Sequence, residues 1–482
     1  MHWHYGKRII KLAEYVARSD NLFAVYLTCF RCSPDSFLAS YVKDIMTHYN
    51  KPFLILQLDE HSSDVGYTTR VEAGIRTFKN YNEKKKKARA HIKTTEARND
   101  LPEKGDTVLI PYLDQLISRF WVNCFQKAGF NSLLLDAEEK SLNTGYQFVN
   151  GGECMPLVSI AGSAVDKIIN EKLAPENTFL YIPTTCLACN FPQFPILSDL
   201  VFKSAGLNGV KIGLINSMEP GKILPRTLAI KMFESYIAGC IIYKMYNRIK
   251  PYEVNKGETE KAFQKTLELM NGAILTGQDL RKTLSESASL FRKIKQDMSG
   301  GRKPRIALIG DLYVKYNEVM NQKIQSLVEE LGGELVTPSM TEYPFHFYDA
   351  DIRLFGEDPR HYNLLRSIER RFERVAADII EDQLEPDFAE CVDYMEDYKI
   401  KHYITGETSI NIGRALYYVK HGTVDAILHI NPMFCCPGVV TSSVYRKIQE
   451  DFNIPIIDIF YDGTGNPNSI MIPHMHYLHQ KK

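Results

Sequence analysis

The sequence predicts an α/β protein of repeated Rossmann-like subdomains with parallel sheets, plus helical insertions. Three observations predict it. Short apolar runs alternate with helix-length amphipathic stretches along most of the chain. Cysteine, glycine and proline gather in loops that directly follow or precede those runs, at what would be the carboxyl edge of a parallel sheet. The two ends of the chain also match each other without a gap.

In chain order, residues 6–19 carry apolar positions at helical spacing, and residues 22–27 read as a strand. Cys29-Phe30-Arg31-Cys32-Ser33-Pro34 follows as a loop, and Pro34 opens a helix where its missing N–H costs nothing. Phe53–Leu58 is a second buried strand ending in Asp59-Glu60-His61, and 66–78 reads as helix. Residues 1–80 thus form one βαβ unit, and the lysine-rich stretch 81–105 reads as a linker. A first lobe, 106–300, holds strands at Thr107–Ile110, 132–135, 178–182 and 210–215, then long amphipathic helices near 224–249 and 258–298. A second lobe, 301–482, starts after Ser299-Gly300-Gly301. It has a strand at Arg305–Gly310, a helix at 317–331, a strand at 334–337 and an aromatic-rich helical stretch to 400. A helix at 410–420, strands at 426–430 and 456–460 and the helix between them complete it.

Composition excludes several classes of function. The 482 residues carry 58 basic and 58 acidic side chains, so no global field draws the chain to nucleic acid. No apolar run is long enough to cross a bilayer, and the start is not a signal peptide. Ten cysteines in so large a chain without a secretion signal argue for free thiols in a reducing cytoplasm rather than a disulfide framework.

The cysteines carry the chemistry. Cys154 sits in Gly151-Gly152-Glu153-Cys154-Met155-Pro156, Cys186 and Cys189 in Thr185-Cys186-Leu187-Ala188-Cys189-Asn190, and Cys435 and Cys436 just before Pro437. Thiolates from separate loops at one sheet edge can converge on a soft metal or an iron–sulfur centre, because sulfur holds iron and spreads the charge of an added electron. Each cysteine taken alone is as well explained as a small buried hydrophobe. Cys186-x-x-Cys189 could also join Cys29-x-x-Cys32 around zinc, whereas a thioredoxin-like pair would follow the first strand of a compact domain. Cys124, Cys240 and Cys391 fall on helices and read as packing. Asp59, Glu60 and His61 could serve acid–base chemistry or only the fold, and His474, His476 and His479 read as an exposed tail. No nucleotide fingerprint is present.

The repeat sharpens this. Cys32 and Cys435 lie 403 positions apart, as do Pro34 and Pro437, Pro52 and Pro455, and Asp59 and Asp462. The same shift sets Cys436 on Ser33, a far poorer iron ligand, which favours Cys435 over its neighbour. Residues 1–80 then correspond to the tail of a first unit, and by analogy with the second unit some three hundred residues of the first are expected upstream, or on a separate chain. Its two strands are too few to make a sheet alone, so they should dock on the second unit or expose apolar surface for a partner.

Tyr26-Leu27-Thr28-Cys29-Phe30-Arg31-Cys32-Ser33-Pro34-Asp35-Ser36-Phe37, Leu58-Asp59-Glu60-His61-Ser62 and Thr69-Arg70-Val71-Glu72-Ala73 closely resemble the C-terminal region of the large acyl-CoA dehydratase activases. These are relatives of the 2-hydroxyglutaryl-CoA dehydratase activator. Gly152-Glu153-Cys154-Met155-Pro156 and Cys435-Cys436-Pro437-Gly438 fit the same region. The resemblance implies a module similar to the 2-hydroxyacyl-CoA dehydratase D-component, with an iron–sulfur cluster of the 4Fe-4S type held by Cys154, Cys189 and Cys435. Cys32, Cys186 and Cys436 are further candidates. It also implies an ATPase activator as partner and an electron-transfer role toward an acyl-CoA dehydratase in anaerobic metabolism. Two features depart from the family: its Asp-x-Gly-Ser-Thr-Thr phosphate loop is absent, and Thr-Cys-Leu-Ala-Cys-Asn stands where the family has Gly-Pro-Cys-Arg. A cluster-free docking module and a catalytic dehydratase subunit remain the alternatives.

Overall fold

The computed structural model describes residues 3–29, 32–58, 64–84, 100–136, 138–184, 189–216, 226–356, 358–401, 406–433 and 435–481. Asp59, Glu60, His61 and Cys186 lie outside them. The first unit runs α1 (His4–Arg18), β1 (Ala24–Cys29), α2 (Ser33–His48), β2 (Phe53–Leu58) and α3 (Asp64–Lys84). The first lobe runs β3 (Thr107–Ile110), α4 (Ile117–Lys127), β4 (Asn131–Leu134), α5 (Glu139–Tyr146), α6 (Met155–Asn170), β5 (Thr178–Thr184), α7 (Phe194–Ser204) and β6 (Lys211–Asn216). Three long helices follow, α8 (Arg226–Ile249), α9 (Glu258–Thr276) and α10 (Leu280–Arg292). The second lobe runs β7 (Arg305–Gly310), α11 (Leu312–Tyr316), α12 (Ile324–Glu330), β8 (Glu334–Val336), α13 (Glu342–Phe355), α14 (Arg360–Glu373), α15 (Ala377–Ile380) and α16 (Phe388–Glu396). It ends with α17 (Glu407–Lys420), β9 (Ala426–Pro432), α18 (Cys436–Phe452), β10 (Ile456–Tyr461) and α19 (Met471–Lys481).

Every described strand pair is parallel, as expected for an α/β chain whose strands are joined by helices. The two lobes share one topology. Their sheets are ordered β4-β3-β5-β6 and β8-β7-β9-β10, so each places its second strand beside its first, then its third and fourth. The first unit supplies only a two-stranded sheet, β1-β2.

Three elements differ from the sequence reading. The helix expected over 258–298 is broken by Gly277 in the left-handed region (φ 81°), and Asp279 then caps α10 through Lys282 N–H. The helix expected over 317–331 keeps only its second half, α12, and its first half, 317–323, is a turn. The Asn317 carboxamide accepts from the N–H groups of Val319 and Met320, and Asn321 donates to Val314 and Lys315 carbonyls, so side chains replace the helical ladder. The histidine tail is a docked helix: Met471, Met475 and Leu478 of α19 are buried, and His479 bonds to Leu331 O at 2.9 Å. Part of the expected linker is also structured, since α3 runs to Lys84 and Asp100 N–H already bonds to Ile212 O.

The repeat extends beyond the anchors seen in the sequence. Shifted by 403, α1 falls on α17, β1 on β9, α2 on α18 and β2 on β10. The registers agree as well: Ala24 pairs with Phe53, and Ile427 with Ile456. The first unit docks on the first lobe. Phe37 stacks on Phe194 with centroids 6.3 Å apart, Tyr41 Oη donates to Gln193, Asn190 bonds to Ser33, and Asn150 donates to Ser40 Oγ at 2.7 Å.

Candidate functional site: a thiol and carboxylate cavity between two sheet edges

In open parallel sheets the crevice for a ligand lies where the strand order reverses, beyond the carboxyl ends of the first and third strands. Here the crevices of the two lobes meet in one cavity of about 150 Å³. Pro111 and Leu113 follow β3, Cys189 follows β5, Asp311 follows β7, and Cys435 and Cys436 follow β9; all line it. Cys154 and Glu407 enter from the starts of α6 and α17, the helices that precede the third strand of each lobe. The remaining wall is aromatic and apolar, with Trp121, Tyr181, Phe191, Phe194, Phe233, Tyr236 and Tyr343 among its members.

The local sequence explains each placement. Gly151 adopts φ 92°, and the Glu153 carboxylate gathers the N–H groups of Asn150, Gly151 and Gly152 at 3.1, 2.9 and 3.1 Å, folding the turn that presents Cys154. Cys154 is then the N-cap of α6, with Pro156 in its first turn. Cys435 is the N-cap of α18 before Pro437, and Cys32 the N-cap of α2 before Pro34. The three caps share one backbone shape: φ/ψ of −60°/122°, −58°/114° and −64°/108°. In each, the N–H three residues on faces the sulfur and favours its thiolate. Cys189 accepts the Phe191 N–H at 3.3 Å.

Gly406 (φ 74°) is the N-cap of α17. A side-chain carbon there would stand 2.9 Å from Pro437 Cγ of the same lobe, so glycine lets the start of α17 pack closely on the start of α18, while Cys189 Cβ of the first lobe stands at ordinary contact, 3.8 Å away.

Charge in the cavity is lopsided. Burial pushes the thiols of Cys154, Cys189 and Cys435 well up, and the carboxylates of Asp311 and Glu407 push all three further. Cys189 also raises Cys154, Cys154 raises Cys435, and Cys436 raises Cys189. Burial holds Asp311 up at about 6, although the Tyr313 and Val314 N–H groups it caps pull the other way. Glu407 is raised by burial and then by Asp311, while accepting Leu312 N–H at 2.9 Å. Lys315, fully buried and 3.7 Å from Glu342, is the cation that draws both carboxylates down. Three thiols and two carboxylates face one hydrophobic space: a donor set whose ionised form calls for cationic charge at its centre.

The structure thus brings together Cys154, Cys189, Cys435 and Cys436. Burial alone raises Cys436, an exposed residue, while Cys435 interacts with Asp311, Glu407 and Cys154. Cys32 does not line the cavity. It sits with Cys29 and Asp35, whose donor atoms all lie within 4.8 Å of one another at the exposed end of β1. Cys124, Cys240 and Cys391 are buried among apolar neighbours. Sequence reasoning missed Asp311 and Glu407. Asp311 was within reach, since it directly follows a fully apolar strand. Glu407 was hidden because the apolar pattern begins only at Ile410.

No protein-family model and no curated protein matches the chain. No described helix is long and apolar enough to cross a membrane.

Proposed function

We propose that the interlobe cavity holds an iron–sulfur cluster of the 4Fe-4S type, and that the chain is a redox module of a 2-hydroxyacyl-CoA dehydratase activation system. The observation that carries this reading is the convergence of Cys154, Cys189 and Cys435 from three separate loops on one cavity. The donor set fits the group. A single tetrahedral zinc holds its thiolates roughly 3.8 Å apart, given Zn–S near 2.3 Å. Among the described residues the only group of three or more His, Cys, Asp or Glu donors within 4.8 Å of one another is Cys29, Cys32 and Asp35, so the three cavity thiols as they stand are not all close enough for a single zinc. When bound, such a group takes up and passes single electrons.

The chain's own residues set the terms. Cys154 and Cys435 bring helix N-termini to bear on the site, offsetting the charge of bound thiolates. The aromatic wall keeps water out, and Asp311 and Glu407 place carboxylates beside the sulfurs. Three thiolates leave room for a fourth ligand, with Cys436 the thiol nearest to hand in sequence. The resemblance to the acyl-CoA dehydratase activases supplies the partners this reading implies: an ATPase activator that delivers electrons and an acyl-CoA dehydratase that receives them.

The test is purification without oxygen, followed by iron and acid-labile sulfide analysis and EPR after reduction. Stoichiometric iron and sulfide that vanish in Cys154→Ser and Cys435→Ser support the assignment. A colourless, correctly folded protein without sulfide ends it.

A further inference from the structure

The repeat shows what normally covers the surface that the first unit leaves bare. In the second lobe β9 lies between β10 and β7, and α17 packs against α16 and α18. In the first unit β1 has β2 on one side and, among the described residues, no strand on the other. The sheet face beside that gap carries exposed apolar side chains, whose counterparts in the second lobe pack in one cluster with Ile324, Val328 and Met475. Val25 and Leu27 are 50% and 59% exposed, whereas their counterparts Leu428 and Ile430 are fully buried. On α1, Leu12 and Tyr15 are 60% and 63% exposed, whereas Ala415 and Tyr418 of α17 are buried. Those two pack in a cluster with Cys391, Val392 and Met395 of α16. An open strand edge flanked by apolar side chains is a template for pairing, and soluble proteins seldom leave one uncovered.

We propose that the free edge of β1 and the outer face of α1 form the docking surface for a polypeptide segment not among residues 1–482, one that contributes a parallel strand and a covering helix, built as β7 and α16 are. The proposal does not depend on any metal in the cavity. The second lobe fixes the register and the chemistry of the incoming strand. Ile306, Ala307, Leu308, Ile309 and Gly310 pair with Ala426, Ile427, Leu428, His429 and Ile430. Shifted by 403, the partner strand lies along Phe23, Ala24, Val25, Tyr26 and Leu27. It is aliphatic on both faces, because all five β7 residues are buried. Opposite Leu27 it carries glycine: Gly310 adopts φ 141°, and a side-chain carbon there would stand 1.9 Å from Ile430 O. An aspartate follows, as Asp311 N–H donates to Ile430 O at 2.9 Å. That aspartate would stand toward Cys32 as Asp311 stands toward Cys435.

The test uses the full chain and a synthetic peptide with the sequence of residues 303–312 as a stand-in for the partner strand. Amide exchange across residues 24–28 is followed as peptide is added to millimolar concentration, with chain mass measured by light scattering. The expected result is at least tenfold slowing of exchange in β1, absent with a scrambled peptide and absent with a Gly310→Val peptide. It is also absent in the Val25→Lys/Leu27→Lys chain, which keeps its fold by circular dichroism because both sites are exposed. Unchanged exchange overturns the proposal, as does equal slowing by the scrambled peptide. A dimer whose β1 amides are protected without peptide also overturns it, since a second copy would then be the occupant.

Discussion

The same βαβ unit occurs twice in this chain, at residues 24–58 and 427–461, with identical pairing register and opposite surroundings. In the second copy the first strand is central in a four-stranded sheet and fully buried; in the first copy it is an edge with alternate residues exposed. Both copies place a cysteine at a helix N-cap with the same backbone angles. Only one of these cysteines lines a cavity with carboxylates and other thiols. Backbone geometry alone therefore does not make the site. What distinguishes Cys435 from Cys32 is the set of elements packed around it, β7 with Asp311 and the first lobe with Cys154 and Cys189.

The largest test of that difference is a pair of serine substitutions in protein purified without oxygen. Cys435→Ser should abolish bound iron, while Cys32→Ser should leave the iron of the cavity unchanged; iron analysis of both decides it. If Cys436→Ser loses iron and Cys435→Ser keeps it, the neighbour is the ligand.

Packing gives the next contrast. Leu428→Ala empties a fully buried position and should cost about 2–5 kcal/mol in urea unfolding. The matching Val25→Ala, at a half-exposed site, should change stability by no more than about 0.5 kcal/mol. Equal costs would mean that the edge of β1 is covered in solution.

Thiol chemistry gives a third. Burial, with Asp35 and Cys29 beside it, holds Cys32 at about 11, above the ordinary thiol value of 9.0. A raised thiol pKa means a neutral, unreactive group at lower pH. Alkylation of Cys32 at pH 8 should therefore run about a hundredfold slower than its exposure alone predicts, rising roughly tenfold per pH unit until pH approaches 11. Cys435, raised by burial and by two carboxylates as well, should lag further in metal-free protein. Mass spectrometry of the labelled peptides measures both.

The smallest effect concerns the seam between the copies. Ser40 donates to Glu153 and accepts from Asn150, tying α2 to the turn that holds Cys154. Ser40→Ala should cost about 0.5–1.5 kcal/mol, read from the unfolding of the intact chain. The counterpart Ser443 is exposed, and its replacement should cost less.

How much of this was legible in the sequence follows from what each residue had to satisfy. Phe53–Leu58, Thr107–Ile110 and Arg305–Gly310 keep the bounds read from their apolar runs, because strands joined by helices carry apolar side chains over most of their length. The α/β class and the cysteine-bearing loops were legible for the same reason. The turn at 317–323 was not, because the apolar periodicity continues through it while Asn317 and Asn321 redirect the backbone by side-chain bonds. Long-range partners were also hidden. Nothing near Asp311 in sequence announces Glu407, and only the folding of the second lobe sets the start of α17 beside the end of β7, where Glu407 accepts Leu312 N–H. The 403-residue shift was visible through four anchors, but its reach into α1 and α17 was not, because exposed Leu12 and Tyr15 face buried Ala415 and Tyr418 in that alignment.

The cavity takes Cys154 and Cys189 from one lobe and Asp311, Glu407 and Cys435 from the other. Anything bound there is a clasp as well as a cargo. Its grip on both lobes adds to the work of prising them apart, by an amount that grows with occupancy. Release of the occupant and separation of the lobes are then one event seen from two sides. An oxidant that reaches the sulfurs would undo more than chemistry: it would unfasten the two halves, and a protease acting on the loosened connection would record the loss.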